Sequence, residues 1–190
     1  MDIDLINSLI EDKIRSDVYT MLPAKVVNVD DYSTLQTISV QPLIGRLYQD
    51  GVNLLPQQID NVPVIMPSAG GAVISFPIKE GDGVCLLFSM RNLDNWEASN
   101  GQEVLPTPST RHHSVTDAIA IAGLYTTTSN LKPNPTDVEI KFAGSSWRMK
   151  PSGSVSLNVA TDYDVVVGGN STITTTGDLT LTAANINMNT

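Results

Sequence analysis

Cysteine, histidine and basic side chains are all scarce in this sequence. Cys85 is the single cysteine, which excludes an internal disulfide and a cysteine-built zinc site, and its apolar neighbours predict a small buried hydrophobe. Eleven Lys and Arg stand against twenty Asp and Glu, giving a net charge of −9. Because nucleic acids attract proteins mainly through Lys and Arg, we expect no nucleic-acid partner.

Long apolar runs are also missing. The first residues, MDIDLINSLIEDK, lack the basic end and the continuous apolar stretch of a secretion signal. No stretch approaches the roughly 20 apolar residues of a membrane-spanning helix. We therefore expect the chain to be made as a soluble protein in the cytoplasm.

Signatures of catalysis are absent as well. The sequence contains no phosphate-binding glycine loop, nucleophile elbow or metal-binding helix. A carboxylate pair such as Asp30-Asp31 would need a cleft lined by aromatic residues to hydrolyse a sugar, and aromatics make up only 5% of the chain. His112 and His113 are weak metal candidates, because neighbours on a strand point to opposite faces, and a hydrogen-bonding role suits His113 better. We expect no enzyme activity, no cofactor and no metal.

The sequence that is present changes style twice. Between Asp2 and Val18, Ile3, Ile6 and Ile10 recur at helical spacing, which predicts an amphipathic helix in residues 1–20, ended by Pro23. Its apolar face either packs on its own domain or docks on a neighbouring subunit.

Residues 21–130 consist of short β-type runs separated by Pro and Gly, which predict five or six strands in a small closed barrel. The run Val84 to Phe88 follows a Gly81-Asp82-Gly83 turn and is typical of a strand buried on both sides. The predicted strands are KVVNVD, TLQTISVQPLI, NVPVIMP, GAVISF, GVCLLF and DAIAIAGL.

Residues 131–190 begin with a predicted hairpin, VEIKFAGSSWRMK. From Pro151 onwards there is no Lys, no Arg and no further Pro, and short apolar bursts alternate with small polar residues. Strands this short cannot offset their chain entropy alone, so we expect three chains to wind into a prism, unless the segment is a flexible or aggregation-prone extension. The predicted interior residues of this needle are Val155, Leu157, Val165, Val167, Ile173, Leu179, Leu181, Ile186 and Met188.

Two motifs resemble the central spike proteins of contractile phage tails, whose N-terminal domain is a barrel of the oligonucleotide/oligosaccharide-binding (OB) type. GDGVCLLFSMRNLDNW resembles that family's glycine turn, apolar strand and R-x-x-D-x-W loop, with Arg91, Asp94 and Trp96. RHHSVTDAIAIAGL resembles its following strand. The matching residues there are His113, Asp117, Ala118, Ala120, Ile121 and Gly123.

The resemblance implies a mainly β fold with an N-terminal helix (1–20), an OB-type β-barrel (21–130) and an intertwined trimeric β-helix or β-prism needle (131–190). It implies a homotrimeric virion protein of the tail baseplate, which plugs the hub protein and pierces the host outer membrane when the sheath contracts. The residues expected to contact a subunit or the hub are Ile3, Ile6, Ile10, Arg91, Asp94 and Trp96.

Two points qualify that resemblance. Several such spikes end in a histidine-bound metal tip, whereas this sequence ends NINMNT, so we expect a separate tip protein to cap the needle. The alternative function is a trimeric carbohydrate- or receptor-binding tail protein, although Tyr32, Tyr48 and Trp96 are scattered in sequence rather than grouped as a sugar site usually requires.

Overall fold

The structure, a computed structural model, describes residues 3–48, 51–129 and 132–186. The chain divides into two compact units, Met1–Leu131 and Lys132–Thr190.

The described residues of the first unit form three helices and nine strands. The helices are α1 (Ile3–Asp17), α2 (Tyr32–Leu35) and α3 (Asp94–Glu97). The strands are β1 (Met21–Asn28), β2 (Thr37–Pro42), β3 (Arg46–Leu47), β4 (Asn53–Leu54), β5 (Ile59–Pro63), β6 (Ser68–Ala69), β7 (Ala72–Val73), β8 (Gly83–Phe88) and β9 (Ala118–Ala122).

Five of these strands form one antiparallel sheet in the order β5-β2-β1-β8-β9. Register shifts between Val26 and Asn28 and between Ile38 and Val40 increase the local twist, as β-bulges do. The sheet curls until its two edge strands approach, where Val64 forms one parallel bridge with Ala120. The result is a curled half-barrel joined at one point, rather than the closed barrel that the sequence predicted.

The concave side of this sheet is the hydrophobic core. Alternate residues along β1, β2, β8 and β9 point inward, as the period of two requires. In β5 the buried residues Ile59 and Val62 are three apart, because Asn61 between them has φ +56°. The buried apolar residues are Ala24, Val26, Ile38, Val40, Ile59, Val62, Val64, Ile78, Val84, Leu86, Phe88, Ala118 and Ala120.

Three expectations for this unit need correction. The run in β8 is buried on one side only, because the sheet is a single layer: Val84 and Leu86 are buried, Leu87 is exposed and Cys85 is half-buried on the outer face. The predicted strand GAVISF contributes only β7, which pairs with β6 in a separate small hairpin. The predicted helix ends at Asp17, and Pro23 lies within β1.

The second unit contains a three-stranded antiparallel sheet in the order β10-β11-β12. Its strands are β10 (Val138–Phe142), β11 (Ser145–Met149) and β12 (Val155–Asn158). The predicted hairpin is therefore present. Its turn, Ala143-Gly144, has positive φ at both residues, the arrangement of a type I′ turn.

Residues 159–186, all of which the structure describes, form no strand in this single chain. The predicted β-helical needle is thus not seen in the part of the chain that the structure describes. A strand needs a neighbouring strand for its backbone N–H and C=O groups, and within one copy no described strand lies beside residues 159–186.

Candidate functional site: the clasped loop between β8 and β9

The segment that carries both sequence motifs is the connection from β8 to β9, residues 89–117, here called the clasped loop. It closes on itself where it leaves the sheet: the Ser89 N–H donates to the Asp117 carbonyl over 2.8 Å, and the His113 N–H donates to the Ser89 carbonyl over 3.1 Å. The loop therefore leaves and rejoins the sheet at adjacent points.

The centre of the clasp is a buried ion pair between Asp117 and Arg111. Asp117 is only 1% exposed. Its carboxylate accepts Arg111 Nε–H at 2.7 Å and Nη2–H at 2.8 Å, and it also accepts the Leu93 backbone N–H at 3.0 Å. Two parallel bonds from one guanidinium fix orientation as well as position. The bond from the Leu93 N–H then joins this pair, which lies at the end of the loop, to the start of the loop.

Asp94 is a second carboxylate bound by Arg111, and Asn92 in turn binds Asp94. Arg111 Nη2–H also donates to Asp94 Oδ1 over 2.6 Å, at a site where the Asp94 side chain is 59% exposed. The Asn92 side chain accepts the Asp94 N–H at 3.0 Å and donates to Asp94 Oδ2 at 3.1 Å. This arrangement holds the first turn of α3 against the ion pair.

Ionisation of the cluster follows from these contacts. The hydrogen bonds from Arg111 lower the pKa of Asp117, against the opposing effect of burial, and the Leu93 N–H lowers it further. The same bonds raise the pKa of Arg111 above its ordinary value. Partial desolvation, with repulsion from Asp94 and Asp117, raises the pKa of Glu97. Asp117 is therefore held as a carboxylate and is not poised to accept a proton near neutral pH.

His113 connects the loop to the segment between α1 and β1. Its ring Nδ1 lies 3.0 Å from the Tyr19 carbonyl oxygen, which only an Nδ1–H can satisfy, and the Tyr19 N–H donates to the His113 carbonyl over 3.2 Å. The residue has φ +47°, in the left-handed region, so it lies in the loop rather than on the strand that the sequence suggested. The expected hydrogen-bonding role is present.

Trp96 and Arg91 are exposed on the outside of this loop. Trp96 lies on α3, where Ser99 closes the turn through its N–H and hydroxyl bonds to the Trp96 carbonyl. The guanidinium that holds Asp94 belongs to Arg111, which the sequence analysis did not single out. A spacing of six residues within an irregular loop gives no sign that Arg111 and Asp117 meet.

The other predicted contact residues lie on α1. Ile3 and Ile10 are exposed and Ile6 is half-buried, so part of an apolar stripe faces away from the chain's own core.

A groove of about 640 Å³ lies beside the start of β1. Tyr32, Tyr48 and Trp96 do not line it. Instead, Tyr32 donates its hydroxyl to the Phe76 carbonyl, and the Tyr48 ring stacks under the Arg46 guanidinium. The groove is lined mainly by chain from residues 18–22, 44–46, 54–60 and 115–116.

Eight of the nine residues predicted to line the needle are exposed in the single chain. Val155 and Leu157 lie on β12, paired with the hairpin, and Met188 lies outside the described residues. The exposed ones beyond β12 are Val165, Val167, Ile173, Leu179, Leu181 and Ile186.

Chemically, the clasp is suited to holding a loop in place. Its acidic groups are engaged by Arg111 and backbone N–H groups. In residues 3–48, 51–129 and 132–186, no three His, Cys, Asp or Glu side chains come together as a metal site. Across the same described ranges, none of the helices has the length and apolar character needed to cross a membrane.

Comparison with known proteins gives a family match. No curated protein matches this chain. Residues 22–123, more than half of the 190-residue chain, match the family described as the phage protein Gp138 N-terminal domain. This range begins in β1, includes the clasped loop and ends just after β9. The chain therefore belongs to the phage protein family defined by the Gp138 N-terminal domain.

Proposed function

We propose that this protein is the central spike of a contractile tail baseplate, a homotrimer that plugs the tail hub and pierces the host outer membrane. Membership of a phage family supports a structural role in the virion. The strand order β5-β2-β1-β8-β9, with a parallel contact between the edge strands, suits an OB-type barrel, a five-stranded and partly open architecture.

The observation that carries the proposal is the unpartnered apolar tail beyond β12. Its short bursts set apolar side chains in water, three in succession at Val165, Val166 and Val167 and two in alternation at Leu179 and Leu181. Ordering a segment costs conformational entropy, and burial of apolar area is the main contribution that offsets this cost. Because these side chains stay in water, a single copy gains no such contribution from them. Strands contributed by two further copies would bury these side chains and pair the free backbone groups.

Such a needle would act mechanically. Its small Thr, Ser and Asn residues face outward, its apolar residues fill the interior, and its interchain hydrogen bonds must break together before it bends. Sheath contraction would supply the force, so the protein itself needs no catalytic group.

The attachment to the hub would use the first unit. Ile3 and Ile10 on α1 and Trp96 on the clasped loop present apolar surface, and the Arg111–Asp117 pair keeps that loop in a fixed position for docking. Exposed aromatic and aliphatic anchors of this kind are the usual centres of protein interfaces.

The first test is the native mass of the purified full chain, with its migration in detergent gel before and after boiling. We expect about three times the 20.4 kDa chain mass, and a species released only by heat. A monomer whose segment after Lys150 is readily cleaved by protease would overturn the spike proposal. Carbohydrate binding would then be the favoured function, and a glycan array would test it.

The second test is location. Electron cryomicroscopy of the particle that contains this protein should place it on the tail axis, beneath the baseplate. Density at the baseplate periphery would instead indicate a receptor-binding role.

A further inference from the structure

Asn100 is the one asparagine of this chain that is followed by glycine. The chain has fourteen asparagines, and the residue after each of the others carries a side chain. The backbone nitrogen that follows an asparagine can attack the carbon of its side-chain amide and close a succinimide ring, but a side chain on the attacking residue obstructs this approach. Gly101 has none, so its backbone can approach closely. The sequence therefore leaves the approach open at Asn100 alone.

Asn100 and Gly101 lie in the outer part of the clasped loop, just after α3. Ser99, Asn100, Gly101 and Gln102 are all exposed in the single chain. Water, which opening of a succinimide ring consumes, therefore reaches this stretch while the sheet stays folded. Exposed loop tips of small and polar residues are where chemical change concentrates in folded proteins.

The attacking group has a proton acceptor beside it. The Gly101 N–H donates to the Ser99 hydroxyl oxygen over 2.9 Å. That hydroxyl donates its own proton to the Trp96 carbonyl over 2.8 Å, so a lone pair rather than a proton faces Gly101. An acceptor held in this position makes the nitrogen more nucleophilic and can take up its proton as the new bond forms.

The group under attack has a hydrogen-bond donor beside it. The Gln102 N–H donates to Asn100 Oδ1 over 3.0 Å. This bond draws electron density from the amide carbon and stabilises the negative charge that develops on Oδ1 as the ring closes. It also holds the side chain against its own backbone, as in an Asx turn, rather than extended into water.

Three other asparagines share this second hydrogen bond but lack the glycine. Asn28, Asn92 and Asn134 each accept, at 3.0 Å, the N–H of the residue two positions further on. The residues that directly follow them are a valine, a leucine and a proline, and proline has no N–H at all. Of these four asparagines, only Asn100 combines the bond with an unobstructed attacking nitrogen.

We propose that Asn100 is a self-modification site, at which the clasped loop, assisted by Ser99, converts its own asparagine to aspartate and isoaspartate. The Gly101 nitrogen forms a bond to Asn100 Cγ, and the bond from Cγ to the side-chain nitrogen breaks. The proton from Gly101, relayed through Ser99 and water, goes to the leaving nitrogen, which departs as ammonia. Water then opens the succinimide at either carbonyl, so the net reaction consumes water and releases ammonia.

The modification changes the surface around Trp96. A Cβ on Gly101 would lie 3.4 Å from Trp96 Nε1, so the reacting backbone lies close to this indole. Either product adds a negative charge to a stretch that already carries Glu97 and Glu103, and isoaspartate also lengthens the backbone by one carbon. Modified and unmodified chains therefore present different surfaces at a residue proposed for hub docking, although the modification rests on the loop alone and not on the spike.

Peptide mapping of the full-length protein tests the site. The purified chain is incubated in mildly alkaline buffer and digested at acidic pH, mass spectrometry follows each asparagine, and isoaspartyl methyltransferase detects isoaspartate. We expect Asn100 to lose its amide at least about ten times faster than any other asparagine, a difference of about 1.4 kcal/mol in barrier. Conversion no faster than at the equally exposed Asn170 would overturn the proposal. Aspartate formed without isoaspartate would indicate direct hydrolysis rather than attack by Gly101, and would also overturn it.

Ser99→Ala and Ser109→Ala form a matched pair within the loop. Ser99→Ala removes the acceptor of the Gly101 N–H, whereas Ser109→Ala removes the equivalent acceptor of the Arg111 N–H at 3.3 Å. We expect the Asn100 reaction to slow by a factor of about three or more in Ser99→Ala and to keep its rate in Ser109→Ala. An unchanged rate in Ser99→Ala, or a faster one because the serine only restrains the loop, would overturn the assistance by Ser99.

Discussion

Replacing Asp117 with Asn should destabilise the first unit far more than replacing Asp94 with Asn, although both carboxylates bind the same guanidinium. The Asp117→Asn side chain would turn an amide NH₂ towards Arg111 and remove one or both of the hydrogen bonds at 2.7 and 2.8 Å. Breaking a buried ion pair from one side costs about 3–5 kcal/mol. Because the Arg111 side chain is 35% exposed and regains water, we expect about 3 kcal/mol.

Asp94→Asn provides the matched control. Its carboxylate is 59% exposed, and pairs of this kind contribute about 1 kcal/mol or less. In thermal unfolding at pH 7, followed by far-ultraviolet circular dichroism, Asp117→Asn should lower the melting temperature by about 10–15 °C and Asp94→Asn by less than about 4 °C. Similar shifts for the two variants would refute the assignment of Asp117 as the buried centre of the clasp.

The effect should also depend on pH in one direction. Arg111 lowers the folded-state pKa of Asp117, so the carboxylate stabilises the fold fully above the ordinary Asp pKa of about 4. This contribution is lost as the pH falls through the lower folded-state value. The gap between wild type and Asp117→Asn should therefore be largest near neutral pH and shrink below about pH 4, and a constant gap would contradict the reasoning.

Three further predictions concern backbone geometry and docking. Ala143→Asn should raise the stability of the second unit by about 0.5–1 kcal/mol in urea unfolding, because φ at Ala143 is +48° and Asn tolerates this turn position; no gain would contradict the type I′ assignment. Gly83→Ala should lower the free energy of unfolding by several kcal/mol, because the added Cβ would collide with the Leu124 carbonyl oxygen. Gly81→Ala has open space around its Cβ but φ +90°, so it should lower that free energy by only about 1–2 kcal/mol. Equal melting temperatures of the two variants would refute this contrast. Ile10→Glu on α1 should leave the melting temperature within about 2 °C of wild type, because Ile10 is exposed, and should reduce incorporation into particles. Immunoblots of purified virions measure this incorporation, and a normal level would show that α1 does not contact the hub.

The strands of the five-stranded sheet could be predicted because each carries its own local signal, whereas the two-residue strands β3, β4 and β6 carry none. Alternation at residues 37–42 and β-type composition at 83–88 and 118–122 identify β2, β8 and β9 directly. A continuous apolar run carries no alternation, so the run at 84–88 predicted burial on both faces, whereas Cys85 and Leu87 lie on the outer face of a single sheet. The segment GAVISF has strand composition, yet Gly70 and Gly71 at positive φ turn it into a short hairpin outside the main sheet.

The clasp could not be predicted because its parts come from separate, irregular stretches of chain. Asp117 and Asp94 were recognised as motif residues, but their common partner, Arg111, depends on how the loop folds back. The pairing of β12 with β11 was missed for a related reason. The alternation at Val155 and Leu157 is the same whether the partner strand is the preceding hairpin or another chain.

The clasped loop has a practical consequence for tagging the protein. The loop contacts the sheet through residues near its two ends. Further out, the Asn95 side-chain amide donates to the Pro106 carbonyl over 2.9 Å, and this hydrogen bond closes the base of residues 96–105. Gln102, Glu103 and Val104 lie exposed between these two hydrogen-bonded residues. A short epitope inserted after Gln102 would thus extend into solvent without disturbing the pairing of β8 with β9, giving a fiducial for gold labelling on intact particles.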